Sequence, residues 1–576
     1  MKKNISPEPS ASLRLRPTSL IALLWGCCIC TAATTQAADL VLISDHVIPM
    51  TDTMQSAGKP LAVAVTDGKI SWIGSHQDAS GQIDEHTEIR KLGTQALLPG
   101  LIDAHGHATF TALATTLANV ASPPVGPAEN IASLQDTLRS YMQQHNFAPG
   151  EWVVGMGYDD SLLAEQRHPN RDDLDAVSTD HPIALMHVSG HLAAANSKAL
   201  ARFGYSAESV DPPGGHIRRH PGSQEPNGVL EESAIGPIRQ VMQNANTDPM
   251  QSLQAAQHLY ASHGITTIQD GAANPDVVNL LQAAAAADQL FLDVVAYPLG
   301  MAFAEQVIDS YAFGSYHNGF KVGGVKLSFD GSPQGKTAYL TQPYHVPPHG
   351  QTADYRGYPS VPDHVANKLV ATYLQAQIPL IVHANGDAAA DMLINAVEQA
   401  RPTHDHRTVM IHAQTAREDQ LTSMKRLSMI PSFFSAHTFY WGDWHRDSVL
   451  GKTRAERISP SASAVARSLP FTIHNDTPIV PPDMIRLLWA TTNRKTRSNQ
   501  VLGKEQQIST YDALKAMTIY AAYQYFEEAD KGSIEVGKRA DFVVLSEDPL
   551  RVPVDQLMRL QVRQTIVKGN TVYTNP

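Results

Sequence analysis

Cysteine is nearly absent: the 576-residue chain holds three, Cys27, Cys28 and Cys30, all inside one apolar stretch from Leu20 to Cys30. A disulfide scaffold is therefore excluded. Charge is sparse as well. Asp, Glu, Lys and Arg make up 17% of the residues, below the ~25% of an average globular chain, which excludes a disordered, solvating polypeptide. No basic block is present and the formal net charge is −12, so the footprint of a nucleic-acid or anionic-membrane binder is missing. No apolar run approaches the ~20 residues of a membrane-spanning helix. Neither G-x-S-x-G nor H-E-x-x-H occurs, which removes the common serine-hydrolase and zincin signatures. What is abundant is histidine, at 25 residues, a frequent metal ligand and general acid–base.

The cysteine-bearing stretch follows Lys2, Lys3, Arg14 and Arg16 and precedes Thr35-Gln36-Ala37. A basic start, a short apolar centre and small residues at a cleavage point make residues 1–37 a secretory signal peptide. Leu24-Trp25-Gly26-Cys27 offers a lipobox alternative, with bulky Trp25 where a small residue is usual. Leu15 separates Arg14 from Arg16, so the twin-arginine route is not indicated. The expectation is export by the general pathway to a bacterial periplasm, with no stable membrane anchor after cleavage. Cleavage removes every cysteine, so any metal must be held by nitrogen and oxygen.

Residues 38–95 and 516–576 are β-rich. Leu61–Val65 and Lys69–Ile73 flank Asp67-Gly68, a two-residue hairpin signal; Gln564–Lys568 and Thr571–Tyr573 flank Gly569-Asn570. Together they predict a small β-sandwich domain built from both termini. The middle, 96–515, alternates apolar runs with helical stretches, the pattern of a parallel α/β fold. Its candidate strands are Ala96–Ile102, Ile265–Gln269, Leu292–Ala296, Val325–Phe329, Leu380–His383, Val409–His412, Met429–Phe433 and Phe471–Ile473. Their number is that of a TIM (β/α)8 barrel. The first gap is far longer than one helix requires, so about 110–255 is expected to be an insertion.

Asp103-Ala104-His105-Gly106-His107 ends the first candidate strand. Imidazoles at i and i+2 of an extended segment share a face and reach one metal ion. His383 ends the fifth strand, His412 the sixth, and His474-Asn475-Asp476 the eighth. The carboxyl ends of barrel strands converge on one rim, where active sites are built. Four histidines and an aspartate arriving there independently point to a metal site.

The arrangement resembles the metal-dependent amidohydrolase superfamily, and within it the branch of YtcJ-like hydrolases and N-substituted formamide deformylases. The resemblance is carried by Leu98-Pro99-Gly100-Leu101-Ile102-Asp103-Ala104-His105-Gly106-His107, by 325–332 (VKLSFDGS), by 382–387 (VHANGD), by 474–478 (HNDTP) and by 532–542 (GSIEVGKRADF). It implies that His105 and His107 bind the more buried metal, and His383 and His412 the more exposed one. It implies a Lys326 carboxylated by carbon dioxide and bridging both ions, and an Asp476 that ligates and carries the proton of the attacking water. Two zinc ions are expected, with manganese or iron as alternatives from the same donor set. The competing reading of Lys326 is a rim lysine paired with Asp330, which leaves a mononuclear site.

Weaker signals complete the reading. Residues 331–337 (GSPQGKT) are one residue short of a phosphate-binding loop, and Pro333 removes a backbone N–H. His191 is a substrate-facing candidate by resemblance. His437 and Trp441 sit in an aromatic stretch that walls a pocket or packs over the barrel mouth. His474 shares a face with Asp476 and is expected to orient its carboxylate. The expected activity is hydrolysis of a C–N bond in a small amide, formamide or cyclic amide. The alternatives are a deaminase, which usually places glutamate soon after the fifth-strand histidine where Ala384-Asn385-Gly386-Asp387 stand here, an ester or lactone hydrolase, and a non-catalytic ligand-binding relic of the fold. A homo-oligomer is left open.

Overall fold

The computed structural model describes residues 37–51, 59–245, 248–348 and 350–575. The expected leader, apart from Ala37, lies outside them. Among the described residues no helix is long and apolar enough to cross a membrane.

The two ends of the chain meet in one seven-stranded sheet. Its order is Asn570–Thr574, Val562–Val567, Phe542–Leu545, Glu88–Pro99, Leu40–Val47, Lys59–Thr66 and Lys69–Gly74. Asp67 and Gly68 both take positive φ, 51° and 71°, the conformation a tight hairpin turn requires. Alternation along Leu40–Val47 sends Leu40 and Leu42 into one apolar cluster and Val41 into another, so both faces are covered.

Eight parallel strand positions follow the expected series. They are Leu101–Ile102, Ile265–Ala273, Asp293–Pro298, Phe320–Val322 continued by Val325–Ser328, Leu380–Ala384, Val409–His412, Ile430–Phe433 and Thr472–Ile473. The fourth is broken at Gly323-Gly324, where a Cβ on Gly324 would lie 2.2 Å from the Pro379 carbonyl oxygen. A bridge between Leu299 and Lys326 joins the two arcs. Beyond the strands, Asp476 N–H donates to His105 O (3.2 Å) and His107 N–H to Thr477 O (2.8 Å). These bonds bring the eighth strand's exit against the first strand's exit.

Two expected boundaries move. The stretch Ala96–Ile102, expected as one barrel strand, is divided: Ala96–Pro99 pairs with Phe542–Leu545 in the terminal sheet, and only Leu101–Ile102 runs beside Ile265–Ala273. Pro99 has no N–H to continue a ladder, and the chain changes sheets at the next residue. At the other end, residues 517–525 pack with the barrel rather than the terminal sheet. Ala521, Ala522 and Tyr525 share an apolar cluster with Ile102, Val295, Ile381 and Ile411, and Ile102 N–H donates to Met517 O.

Between the first and second barrel strands stands a separate six-stranded sheet, ordered Gly215–Arg219, Pro226–Glu232, Leu192–Ala195, Ile183–His187, Val153–Tyr158 and Ala118–Asn119. Period-two alternation sends Val154, Met156 and Met186 to one apolar cluster and Val153, Ile183 and Leu185 to another.

Candidate metal centre

The side chains expected at the barrel rim converge. Nε2 of His107 and His105 lie 3.1 and 3.5 Å from Asp476 Oδ1. Lys326 Nζ lies 3.3 Å from His105 Nε2. His412 Nε2 lies 3.1 Å from His383 Nδ1 and 3.9 Å from Asp476 Oδ2. His105, His107 and Asp476 present their ligand atoms close enough to share one cation. Two of these residues sit in the left-handed backbone region, His412 at φ 71° and Asp476 at φ 56°, a costly conformation that clusters at functional sites.

Hydrogen bonding fixes which nitrogens are bare. Gln269 Nε2 donates to Ala104 O, so its Oε1 accepts from His105 Nδ1 at 2.6 Å and His105 Nε2 carries no proton. His383 Nε2 stands between the Gly331 carbonyl oxygen (3.1 Å) and Asn385 Nδ2 (3.0 Å), which itself donates to Gly331 O (2.9 Å), so the far side of the ring is held in place and Nδ1 is turned to the cluster. Ser432 Oγ lies 2.8 Å from His474 Nδ1, and His474 Nε2 3.2 Å from His412 Nδ1. With His412 Nδ1 donating, its Nε2 carries no proton and faces His383 Nδ1. Two imidazole nitrogens 3.1 Å apart, and an Asp476 Oδ1 buried without a hydrogen-bond donor, form a donor set of the kind a divalent cation satisfies.

The electrostatics agree. Burial drives His105 and His412 well below the ordinary histidine value and His383 and His474 to about 3, so all four are neutral, as ligation requires. Burial alone would raise the Asp476 carboxyl, but the His107 imidazole 3.1 Å away and the pull of His105 and His412 hold it well below the usual range. Burial lowers Lys326 to about 8 against the pull of Asp476. The alternative pairing of Lys326 with Asp330 is not formed. Both Asp330 oxygens are taken by the N–H groups of Asn385 (2.9 Å), Gly386 (2.8 Å) and Tyr339 (3.0 Å).

His474 corrects one expectation: its hydrogen bonds hold His412, not the Asp476 carboxylate, because the φ of Asp476 turns that side chain towards His105 and His107. His191 stands with its ring 5.9 Å from that of His383, its Nδ1 2.9 Å from Glu232 Oε2. His437 is one ring removed: it packs on Phe434, which itself touches His412 and His474. Trp441 is buried and its indole N–H donates to Asp159 Oδ2 at 2.5 Å, tying the loop after the seventh strand to the inserted sheet. Asp159, Asp160 and His187 of that sheet are also close enough to share a cation, but their atoms are used. Asp159 Oδ1 accepts from Ser161, and Asp160 pairs with His187 at 3.0 Å. The residues missed from sequence are Gln269 and Ser432. Gln269 ends the stretch Ile265–Gln269 expected as a strand from sequence, the position that marked the histidines, although the strand itself runs on to Ala273, and its amide type hid it. Gly271, two residues on, is forced by the same contact, since a Cβ there would lie 2.5 Å from His105 Cε1.

Residues 92–573 match the model of the amidohydrolase family. The chain belongs to that family. As an amidohydrolase it is a hydrolase acting on carbon–nitrogen bonds. It is 26% identical over 568 residues to an N-substituted formamide deformylase of Arthrobacter pascens, covering 94% of this chain and 99% of that one. It is 24% identical over 538 residues to YtcJ of Bacillus subtilis (strain 168), covering 90% and 97%. Among solved structures, a metal-dependent hydrolase from Pyrococcus horikoshii OT3 superposes with a TM-score of 0.70 at 21% identity, covering 89% of this chain and 99% of that one. That likeness is one of fold, a barrel of the TIM type.

Proposed function

We propose that this amidohydrolase is an exported, metal-dependent enzyme that cleaves the C–N bond of a small amide, formamide or cyclic amide. The observation that carries the reading is the donor set around Asp476: an unpartnered carboxylate oxygen facing the bare Nε2 of His105 and, at 3.1 Å, the Nε2 of His107. His105 and His107 would hold one divalent cation, and His383 and His412 a second, with Asp476 between them and Lys326, as a carbamate, supplying an anionic oxygen to both. A bound zinc-type cation supplies Lewis acidity, polarising a carbonyl and lowering the pKa of water towards ~7.

The remaining steps belong to the chain. The Asp476 carboxylate is the group placed to accept a proton from attacking water and to return it to the departing nitrogen. Gln269 fixes the His105 tautomer, and the Ser432–His474 pair fixes that of His412. Lys326, buried and lowered to about 8, has the free-amine fraction that reaction with carbon dioxide needs. Deamination is disfavoured, because Asp387, the nearest substitute for its glutamate, already accepts from Thr341 N–H (2.9 Å) and Arg417 (3.3 Å). The formamide deformylase relative supports a formamide or amide substrate class. Specificity would reside in the insertion and in the aromatic stretch holding His437 and Trp441.

The test is metal analysis with a panel of N-acyl amines and formamides. About two metals per chain, and hydrolysis abolished by chelation and by Asp476→Asn, are expected. A metal-free chain of full activity would refute the reading. The mass of the mature chain after export tests cleavage beyond Ala37.

A further inference from the structure

A cavity of about 400 Å³ opens between the first helix after His107, the edge of the inserted sheet, and the loops that follow the seventh and eighth barrel strands. Its volume is that of a small-ligand site. Leu117, Met156, Leu162, Val188, Tyr440 and Ile479 give it an apolar wall. It abuts the metal cluster through two threonines. Thr477 O accepts the N–H of His107 at 2.8 Å, and Thr111 Oγ1 donates to His107 O at 2.9 Å. The His107 side chain is 20% exposed, against 1% for His105 and 5% for His412.

One cation lies in that wall. Arg497 donates through Nη2 to the Pro123 carbonyl, but its Nη1 is buried without a partner, as is Ser122 Oγ of the same lining. The acids near Arg497 are engaged elsewhere. Asp159 accepts from Ser161 and Trp441. Asp443 accepts from Ser498 N–H (3.0 Å) and Oγ (2.7 Å) and pairs with Arg446 at 3.2 Å. A buried guanidinium edge with no acceptor is costly, and beside the apolar wall, in a lining that also holds Asp159 and small polar side chains, it marks where an acceptor on a ligand belongs.

We infer that this cavity holds the remote end of the substrate, an apolar arm terminating in a carboxylate that binds Arg497 Nη1 and Ser122 Oγ. The inference rests on the hydrolase reading for the scissile bond, and it adds the substrate class: an amide or formamide whose nitrogen substituent is apolar and anionic at its far end. A carboxylate is favoured over a neutral acceptor because a charge-assisted hydrogen bond is roughly twice as strong, and the oxygens of the two nearby acids, Asp159 and Asp443, are committed to other donors.

The test uses the metal-loaded protein. Calorimetry compares 3-phenylpropanoate with 3-phenylpropan-1-ol, an arm of matched shape without charge. The carboxylate is expected to bind at least about tenfold more tightly, an advantage that Arg497→Met removes and Arg497→Lys partly restores. A carboxylate bound at the metals instead would be indifferent to Arg497→Met, and that result, or equal affinity of the two ligands for the unmutated protein, overturns the inference. In parallel, the formamides of 4-(aminomethyl)benzoate and 4-methylbenzylamine are compared as substrates, with the preference expected in KM and lost in Arg497→Met. If neither is hydrolysed while the carboxylate still binds through Arg497, the hydrolase reading fails and the pocket stands. If both are hydrolysed equally and Arg497 is irrelevant, the pocket fails and the hydrolase stands.

Discussion

Gln269→Met is the sharpest probe of the centre, because Gln269 touches no expected metal and yet sets the state of a ligand. Its Oε1 accepts the His105 Nδ1 proton at 2.6 Å, and its Nε2 bonds Ala104 O at 3.0 Å and the Tyr525 hydroxyl at 2.8 Å. Methionine keeps the length and burial but offers no comparable acceptor, so His105 is free to carry its proton on Nε2, where it cannot ligate. Groups of this kind are worth ~10–100-fold in metal affinity, or about 1.4–2.7 kcal/mol. The two lost bonds cost stability separately, only ~0.5–1.5 kcal/mol each, because Ala104 O still accepts from Gln524 Nε2 (2.7 Å) and the Tyr525 hydroxyl still donates to Asp103 O (2.6 Å). Competition with a chelator of known affinity reads the first quantity, and urea unfolding of the chelated protein reads the second. The expected result is a metal dissociation constant raised at least tenfold in a protein that still unfolds cooperatively. Unchanged affinity in a folded variant would refute the assignment of the His105 tautomer, and with it the argument that the cluster is prepared for a cation.

Three further expectations follow from the same geometry. Lys326→Met should lower the metal content below that of the unmutated chain and depress hydrolysis; full retention of metal and rate would eliminate the carbamate. Asp293 is buried against Lys531 and Arg539; burial alone would raise it, but these cations outweigh that and hold it down to about 2, below its ordinary 3.8. A depressed carboxylate stabilises above its unfolded value and loses that contribution as pH falls through its folded one. Asp293→Asn should therefore cost roughly 2 kcal/mol at pH 7, with the gap from the unmutated protein narrowing between about pH 4 and pH 2; a gap in urea midpoints that stays constant with pH would contradict it. Trp441→Phe leaves buried Asp159 one donor short and should lower stability by ~1.5–3 kcal/mol in urea unfolding.

The barrel was legible because its strands are buried on both sides and read as short apolar runs bounded by turn residues, as at Leu380–His383 and Val409–His412. What misled was continuity. Ala96–Ile102 is one apolar run in the sequence but two strands in space, since apolarity records burial and not which sheet does the burying. The division is made by hydrogen bonding, which leaves no mark beyond Pro99 and Gly100. Residues 517–525 escaped for the related reason that a short helix plugging a barrel has the same composition as one lying on its outside.

For the centre, the residues that converge were legible and their connections were not. A histidine at a strand end declares itself by type and place, and His105, His107, His383 and His412 all did. The groups that tune them are chosen by reach across the barrel: Gln269 reaches His105 across 164 positions of sequence, and Ser432 reaches His474 across 42. Such pairs follow from which strands lie side by side, the first beside the second and the seventh beside the eighth. His474 shows the limit clearly. Its spacing of two from Asp476 suggested that the pair act on one face, and in an extended strand they would. Asp476, however, has left the strand with φ 56°, so the carboxylate swings to the first-strand histidines while His474 stays behind to hold His412. The backbone turn that separates them is also what gives one carboxylate access to ligands from opposite ends of the barrel's strand order, and this is why an aspartate, with its tolerance of the left-handed region, occupies that position.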